Sequence, residues 1–393
     1  MTLKASNGWL LSTLFLLSSL AAHAEEPPCM AIKEAVSIAS RIRGLKLKRT
    51  VTCRVLKEED FLKLENVPPL EKLKQEEMAY KLLGIVPKDY PYASCMLSSF
   101  MLDAVAYYDA RRHVLNLRAG AYIPMVVLVH EITHALQAQN FPAFMSSQLT
   151  KLTSDEYLAR LAISEGDAMW VEHRFEDEGG TNRELERSPS LPPESAENEP
   201  CRLPPALQNT FDLAYSAGEL FVGAVRESGG QALLDRFFAN PPRTTQEILH
   251  ALKPAPGQKD VQAGFPALAP VGFKNPQVKT LFSDSLGELM MRAFFKTWLP
   301  RSQAVLAAAG WKGDRLSLHP AGSGAALYTL VWRSVWKNER DAEQFFTAIA
   351  RVWEKRLEQP LNGRTPRLLF SSPQWPFIYL ERAGRRVSVI VKR

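Results

Sequence analysis

Residues 125–140 read MVVLVHEITHALQAQN, and the rest of the chain is best interpreted outward from this stretch. Pro124 precedes it, where proline suits the start of a helix, and Pro142 follows it, where a helix cannot continue. We therefore predict a helix that starts after Pro124 and ends at Asn140. Its first turns are apolar, and the polar motif HEITH follows them directly.

The HEITH motif places His130 and His134 four positions apart on this helix. Side chains at that spacing lie about 40° apart around the axis and about 6 Å apart along it, so both imidazoles can reach one metal ion. Glu131 projects beside them and can take a proton from water. The pattern predicts a Zn²⁺ site with Glu131 as the catalytic base. The alternative is a buried helix with two hydrogen-bonded histidines, whose polar groups would still need partners.

A third protein ligand is expected from the next helix, whose start is marked by the capping-box pattern of Thr153 and Glu156. Glu165 lies within the apolar stripe of that helix, where a carboxylate needs a strong partner such as a metal ion. We predict Glu165 as the third zinc ligand, with Glu172 as the alternative. Gly166 costs helix stability, and we expect it to allow close approach of the HEITH helix.

These motifs resemble those of the gluzincin group of zinc metallopeptidases. HEITHALQAQNF, followed by EGDA from Glu165, is similar to exported bacterial proteins with the signature HELTHALQDQ…EGDA. Four further stretches share this similarity: YSAGELFV (215–222), NPPRTTQEILH (240–250), AAGWKGDRLSLH (308–319) and ALYTLVWRSVW (326–336). The metzincin pattern is absent, because Gln137 and Asn140 stand where Gly and His would be required. The signatures NExxSD and GxMEN are also absent, so neither thermolysin-like nor aminopeptidase specificity is implied.

The resemblance implies an α+β fold: a mostly helical zincin-like catalytic domain with an edge β-hairpin before the HEITH helix, then a C-terminal helical and β-hairpin region. It also implies a zinc-dependent peptidase that cleaves peptide or protein substrates through a zinc-activated water, with Glu131 as general base. An extended substrate would pair with the strand at 113–118. Tyr215 and His250 are candidate donors to the oxyanion. Two alternatives remain open: hydrolysis of a non-peptide amide such as a cell-wall linkage, and a catalytically silent zincin-like binding or assembly protein.

The N-terminus is typical of a secretory signal peptide. Lys4, the apolar run 9–22 and the cleavage pattern Ala22-His23-Ala24 occur in the expected order. The apolar run is too short to span a bilayer, and no later stretch is long enough. We predict export to the periplasm or the medium, with a mature chain from Glu25 and no transmembrane segment. The oligomeric state is left open.

The mature chain contains four cysteines, which in an oxidising compartment suggest two disulfides with three possible connectivities. We favour Cys29–Cys53 and Cys95–Cys201. Four buried thiols are the alternative.

The overall composition is that of a globular protein. Of the 393 residues, 46% are hydrophobic and 23% charged, which excludes a disordered, collagen-like or coiled-coil chain. The net charge of +6 is spread along the chain, so no nucleic-acid partner is predicted.

The hydrophobic periodicity predicts the remaining elements. The expected elements are mainly helix over 31–85, a hairpin over 101–118, helices at 153–175, 206–239, 244–252, 283–309 and 339–357, two strands within 316–336, and a hairpin within 377–391. The predicted regions are a signal peptide (1–24), a zincin-like catalytic region (25–175), an acidic Pro-rich loop (176–205) and a C-terminal α+β region that completes the cleft (206–393).

Overall fold

The computed structural model has an α+β fold, as predicted. It describes residues 27–62, 69–99, 104–145, 151–180, 201–250, 279–320, 328–360, 365–372, 375 and 377–393. The predicted signal peptide and most of the predicted acidic loop lie outside these residues. No helix in the described ranges is long and apolar enough to cross a membrane.

Helices supply most of the described structure. They are α1 (Pro27–Met30), α2 (Ile32–Arg43), α3 (Glu58–Phe61), α4 (Leu70–Leu83), α5 (Tyr92–Ser99), α6 (Met125–Asn140), α7 (Ser154–Asp177), α8 (Pro205–Ala239), α9 (Thr245–His250), α10 (Gly287–Trp298), α11 (Arg301–Ala308) and α12 (Glu339–Leu357). The strands are β1 (Thr52–Leu56), β2 (Ala106–Asp109), β3 (Val114–Arg118), β4 (Phe282–Asp284), β5 (Trp311–Pro320), β6 (Tyr328–Trp336), β7 (Arg367–Phe370), β8 (Phe377–Ala383) and β9 (Arg386–Lys392).

The predicted helices α6 and α7 are confirmed. Pro124 precedes α6 at its N-cap position. Thr153 caps α7 in a reciprocal capping box with Glu156. The predicted strand pairs β2–β3, β5–β6 and β8–β9 are also present.

The N-terminal sheet has the strand order β1-β3-β2. β1 pairs with β3 in parallel, and β2 pairs with β3 antiparallel. The prediction of a mainly helical segment over 31–85 is therefore wrong at β1. Cys53 of this strand is joined to Cys29, so the disulfide fastens α1 to the sheet.

The predicted edge strand at 113–118 is also wrong. β3 is the central strand, is buried along its length and has both edges paired. His113 lies in the turn before it, with a φ of 56°. The edge strand before α6 is β2, so a substrate cannot add to β3 as the sequence suggested.

Helix α6 is held between this sheet and α7. Its buried residues Leu128, Ile132 and Leu136 share an apolar cluster with Leu115 and Leu117 of β3. Burial of such side chains contributes about 1.5–3 kcal/mol each. The apolar face fixes α6 in position, so His130, Glu131 and His134 project from its other faces.

The C-terminal part contains a six-stranded antiparallel sheet of order β4-β5-β6-β9-β8-β7. Helix α12 covers it through Phe345, which stacks on Trp336 and meets Trp332 edge-on. Five C-terminal tryptophans are all buried: Trp311, Trp332, Trp336, Trp353 and Trp375.

The second predicted disulfide, Cys95–Cys201, joins α5 to the segment before α8. Both pairings favoured from the sequence are therefore confirmed. The alternative of four buried thiols is wrong, because no described cysteine is free.

Candidate metal centre

Three predicted ligands from α6 and α7 meet at one point. The Nε2 atoms of His130 and His134 lie 3.2 Å apart, and each lies 3.4 Å from Oε2 of Glu165. In a tetrahedral zinc site with bonds of about 2.0–2.1 Å, neighbouring ligand atoms lie about 3.3–3.4 Å apart. The three atoms therefore have the spacing of one face of a zinc tetrahedron. Within the described residues, this is the cluster of His, Cys, Asp and Glu side chains that could hold a metal ion.

The hydrogen bonds of the two histidines strengthen this assignment. Nδ1 of His130 lies 2.9 Å from Oε2 of Glu172, and Nδ1 of His134 lies 3.0 Å from Oε1 of Gln137. When each Nδ1–H donates to its oxygen, each Nε2 carries a lone pair. Two lone pairs and a carboxylate oxygen then face one another. A bound cation would satisfy all three atoms at once. The alternative, a buried helix with two hydrogen-bonded histidines, gives no reason for two lone pairs and a carboxylate oxygen to face one another.

Gln137 is in turn held by a buried polar network. Its Nε2 donates to the main-chain oxygen of Ser164 and to Oδ2 of Asp167, at 2.9 and 3.1 Å. Asp167 is buried between Arg43, whose Nε is 2.5 Å away, and Arg226 at 3.2 Å. The amide orientation of Gln137 is thus fixed, which leaves its oxygen for His134.

This network gives Gln137 a role that its sequence position alone did not predict. From the sequence, Gln137 could be interpreted only as a departure from the metzincin pattern. Its position three residues after His134, on the same helical face, is the local signal that identifies it as a partner. Glu172, the alternative third ligand, instead contacts Nδ1 of His130, whereas Nε2 of that imidazole faces the triad.

Charge in the site suits a divalent cation. Burial raises the pKa of Glu165, but the two histidines outweigh that effect and hold it well below its usual range. Burial lowers the pKa of His130, yet hydrogen bonds to Glu165 and Glu172 raise it to about 10. The carboxylates therefore favour positive charge at the imidazoles, and a bound cation would receive the same stabilisation.

Glu131 lies beside the triad but is not part of it. Its Oε2 accepts a hydrogen bond of 2.8 Å from the main-chain N–H of Tyr108 on β2. Burial raises the pKa of Glu131, while His134 and His130 oppose that shift. A carboxylate with a raised pKa is the better proton acceptor near neutral pH. Glu131 thus lies between the triad and the edge strand β2.

Tyr215 reaches the site because α7 and α8 cross at very short range. A Cβ on Gly166 would lie 2.2 Å from the main-chain carbon of Gly218, and a Cβ on Gly218 would lie 1.9 Å from the carbonyl oxygen of Ala162. Gly166 thus serves contact with α8, and the expectation of contact with the HEITH helix is wrong. One turn before Gly218, Tyr215 lies near Glu165, and burial and this carboxylate raise the Tyr215 pKa.

His250, the other predicted oxyanion donor, is engaged elsewhere. Its Nε2 lies 2.9 Å from both carboxylate oxygens of Glu288 on α10. The structure does not bring it into the metal-binding cluster. His173 pairs with Glu219 at the surface, and His319 bonds Ser317 within the C-terminal sheet.

The triad side chains of His130, His134 and Glu165 remain 16%, 13% and 12% exposed. A catalytic zinc site keeps a position open to water or substrate, whereas a structural site is closed by protein. The partial exposure fits the open type.

Comparison with known proteins adds one match. The profile of a family described as a domain of unknown function (DUF8575) matches residues 277–392. This range contains β4 to β9 and α10 to α12 but none of the triad residues. No curated protein and no solved structure matches the chain.

Proposed function

We propose that this protein is an exported zinc-dependent peptidase. The observation that carries the proposal is the convergence of His130, His134 and Glu165 at tetrahedral spacing, with Glu131 beside them. Two disulfides fit an oxidising compartment, which supports export.

The three triad side chains would hold the zinc ion through two Nε2 atoms and one carboxylate oxygen. When bound, zinc lowers the pKa of a water molecule and polarises a carbonyl group. Glu172 and Gln137 keep the two imidazoles in the tautomer that presents a lone pair at Nε2.

Glu131 would accept the proton of the attacking water and return it to the leaving amine. The Tyr108 N–H fixes one oxygen of its carboxylate at the sheet edge. Tyr215 stands next to Glu165, and its hydroxyl would donate to the charge that develops on the attacked carbonyl.

The edge strand β2 supports a peptide as the substrate. The carbonyl of Val105 accepts from Arg118 of β3, so the main-chain groups of Ala106 and Tyr108 point away from the sheet. The outward N–H of Tyr108 reaches Glu131. An extended peptide added to this edge would therefore run past the general base.

The test is cleavage of a broad library of unstructured peptides by the wild type and by Glu131→Gln. The variant preserves shape and all three ligands but removes the base. We expect equal zinc content and a fall in turnover of at least ~10²-fold. Equal turnover by the two proteins would refute the assignment of Glu131, and no cleavage by zinc-loaded wild type would refute the peptidase proposal.

A further inference from the structure

A cavity lies where the region matched by DUF8575 meets the N-terminal helices. It has a volume of about 460 Å³, within the range of about 300–1,000 Å³ usual for small-molecule sites. The end of α4 and the segment that follows it form one side, and the start of α8 forms another. Trp298, Arg356, Trp375 and Arg393 close the cavity from the C-terminal part.

The lining is cationic. It contains Lys81, Lys88, Arg356 and Arg393, and no Asp or Glu is among its described residues. Lys81 is paired with Glu77 on the preceding helical turn. Lys88 and Arg393 have no Asp or Glu partner within the described part of the chain. Both side chains are exposed at the rim of the cavity.

A third cation, Arg356, is fixed in place deeper in the cavity wall. Its guanidinium lies 4.2 Å from the ring centre of Trp353 and 4.7 Å from that of Trp375, and it donates to the carbonyls of Leu82 and Lys81. Burial, and then the charge of Arg393, lower the Arg356 pKa to about 9. Like charges are thus held close together, and an anion would relieve their repulsion.

The cavity also offers an apolar surface. Val86, Pro204 and the indoles of Trp298 and Trp375 line it.

We propose that this cavity binds a small organic anion, in which a carboxylate or phosphate is attached to a flat apolar body. The anionic group would lie among Lys88, Arg356 and Arg393, and the body would lie against the two indoles. This inference does not depend on the zinc centre.

Calorimetric titration with phenyl phosphate and with phenylacetate tests it, and the comparison shows which anion is preferred. Inorganic phosphate supplies the charge alone and benzyl alcohol the ring alone. We expect a phenyl anion to bind at least ~10-fold more tightly than either, and its affinity to fall with salt. Lys88→Ala/Arg393→Ala should weaken binding by at least ~10-fold.

The matched control is Arg385→Ala/Arg386→Ala, which removes the same charge from the turn after β8 and from the first residue of β9, outside the lining. It should bind like the wild type. Arg356 is left unchanged, because it caps α4 and its loss would disturb the fold. No binding of either phenyl anion at about 1 mM, equal binding of benzyl alcohol, or equal loss in both double variants would overturn the proposal.

Discussion

Each histidine of the HEITH motif is oriented by one neighbouring oxygen. Glu172 holds His130, and Gln137 holds His134. The second contact depends on a relay, because Gln137 is itself fixed by Asp167 and, through it, by Arg43. A histidine that loses the hydrogen bond at its Nδ1 can rotate or change tautomer. Loss of either contact should therefore weaken metal binding.

Gln137→Leu tests this relay. Leucine preserves volume but removes the Gln137 oxygen that lies 3.0 Å from Nδ1 of His134, which leaves that nitrogen the more distant Ser164 hydroxyl at 3.4 Å. We expect the zinc dissociation constant to rise about 10–100-fold, measured by competition with a chelator.

Ser164→Ala is the matched control, because the Ser164 hydroxyl donates to the same Gln137 oxygen at 2.8 Å yet its loss leaves the acceptor in place. That variant should keep near wild-type zinc affinity. Wild-type affinity in folded Gln137→Leu would show that the relay has no such role.

At the scale of elements, the crossing of α7 and α8 brings Glu165, the proposed third ligand, close to Tyr215, the proposed oxyanion donor. The glycines at 166 and 218 remove the side chains that would keep the two helices apart. The obstruction at Gly218 is main chain of α7, so it cannot move aside as a flexible side chain would.

Gly218→Ala should therefore destabilise the protein by about 1–3 kcal/mol, measured by urea unfolding. The control lies further along α8 at Gly223, where an added Cβ would meet no described atom within 4 Å. Gly223→Ala should stabilise the helix by about 0.4–1 kcal/mol. Equal effects from both substitutions would contradict the close crossing as the cause.

The elements that could be predicted from sequence are those with strong local signals. Pro124 and the capping box at Thr153 mark helix starts that depend on neighbouring residues alone. β1 was missed because its partner, β3, lies about sixty residues later, and a five-residue strand has little periodicity of its own. Sheet order is likewise non-local, so β2 could not be recognised as the edge.

The metal site shows the same division. His130, His134 and Glu131 follow from spacing on one helix, whereas Glu165 was inferred from a carboxylate on an apolar stripe. The contacts of Tyr215 with Glu165 and of His250 with Glu288 depend on which helices cross, which the sequence does not reveal.

At the scale of the whole molecule, buried acids join the C-terminal part to the helix that carries Glu165. Asp155, at the start of α7, accepts hydrogen bonds from the N–H and hydroxyl of Thr245. Asp284 of β4 accepts from the N–H and hydroxyl of Ser154. The region matched by DUF8575 thus holds the N-terminus of α7.

Stability should depend on pH through Asp155. Burial raises its pKa to about 8 in the folded protein, despite the hydrogen bonds from Thr245. The unfolded value is about 3.9, so this group's contribution is complete below about pH 4 and is lost as the pH rises towards 8.

Asp155→Asn keeps an acceptor for Thr245 but cannot ionise. We expect the variant to gain stability relative to the wild type between pH 5 and pH 8, by urea unfolding at about those two values. The exposed Asp89→Asn serves as control and should show a constant difference. A constant difference for Asp155→Asn as well would contradict burial of an ionisable Asp155.

The most direct test of the central claim is the zinc content of the purified chain after zinc loading and removal of free metal. We expect one zinc ion per wild-type chain. Glu165→Gln should lose it, while Glu172→Gln, which retains an acceptor for His130, should keep most of it. A wild type without zinc, or Glu165→Gln with full zinc, would contradict the triad of His130, His134 and Glu165.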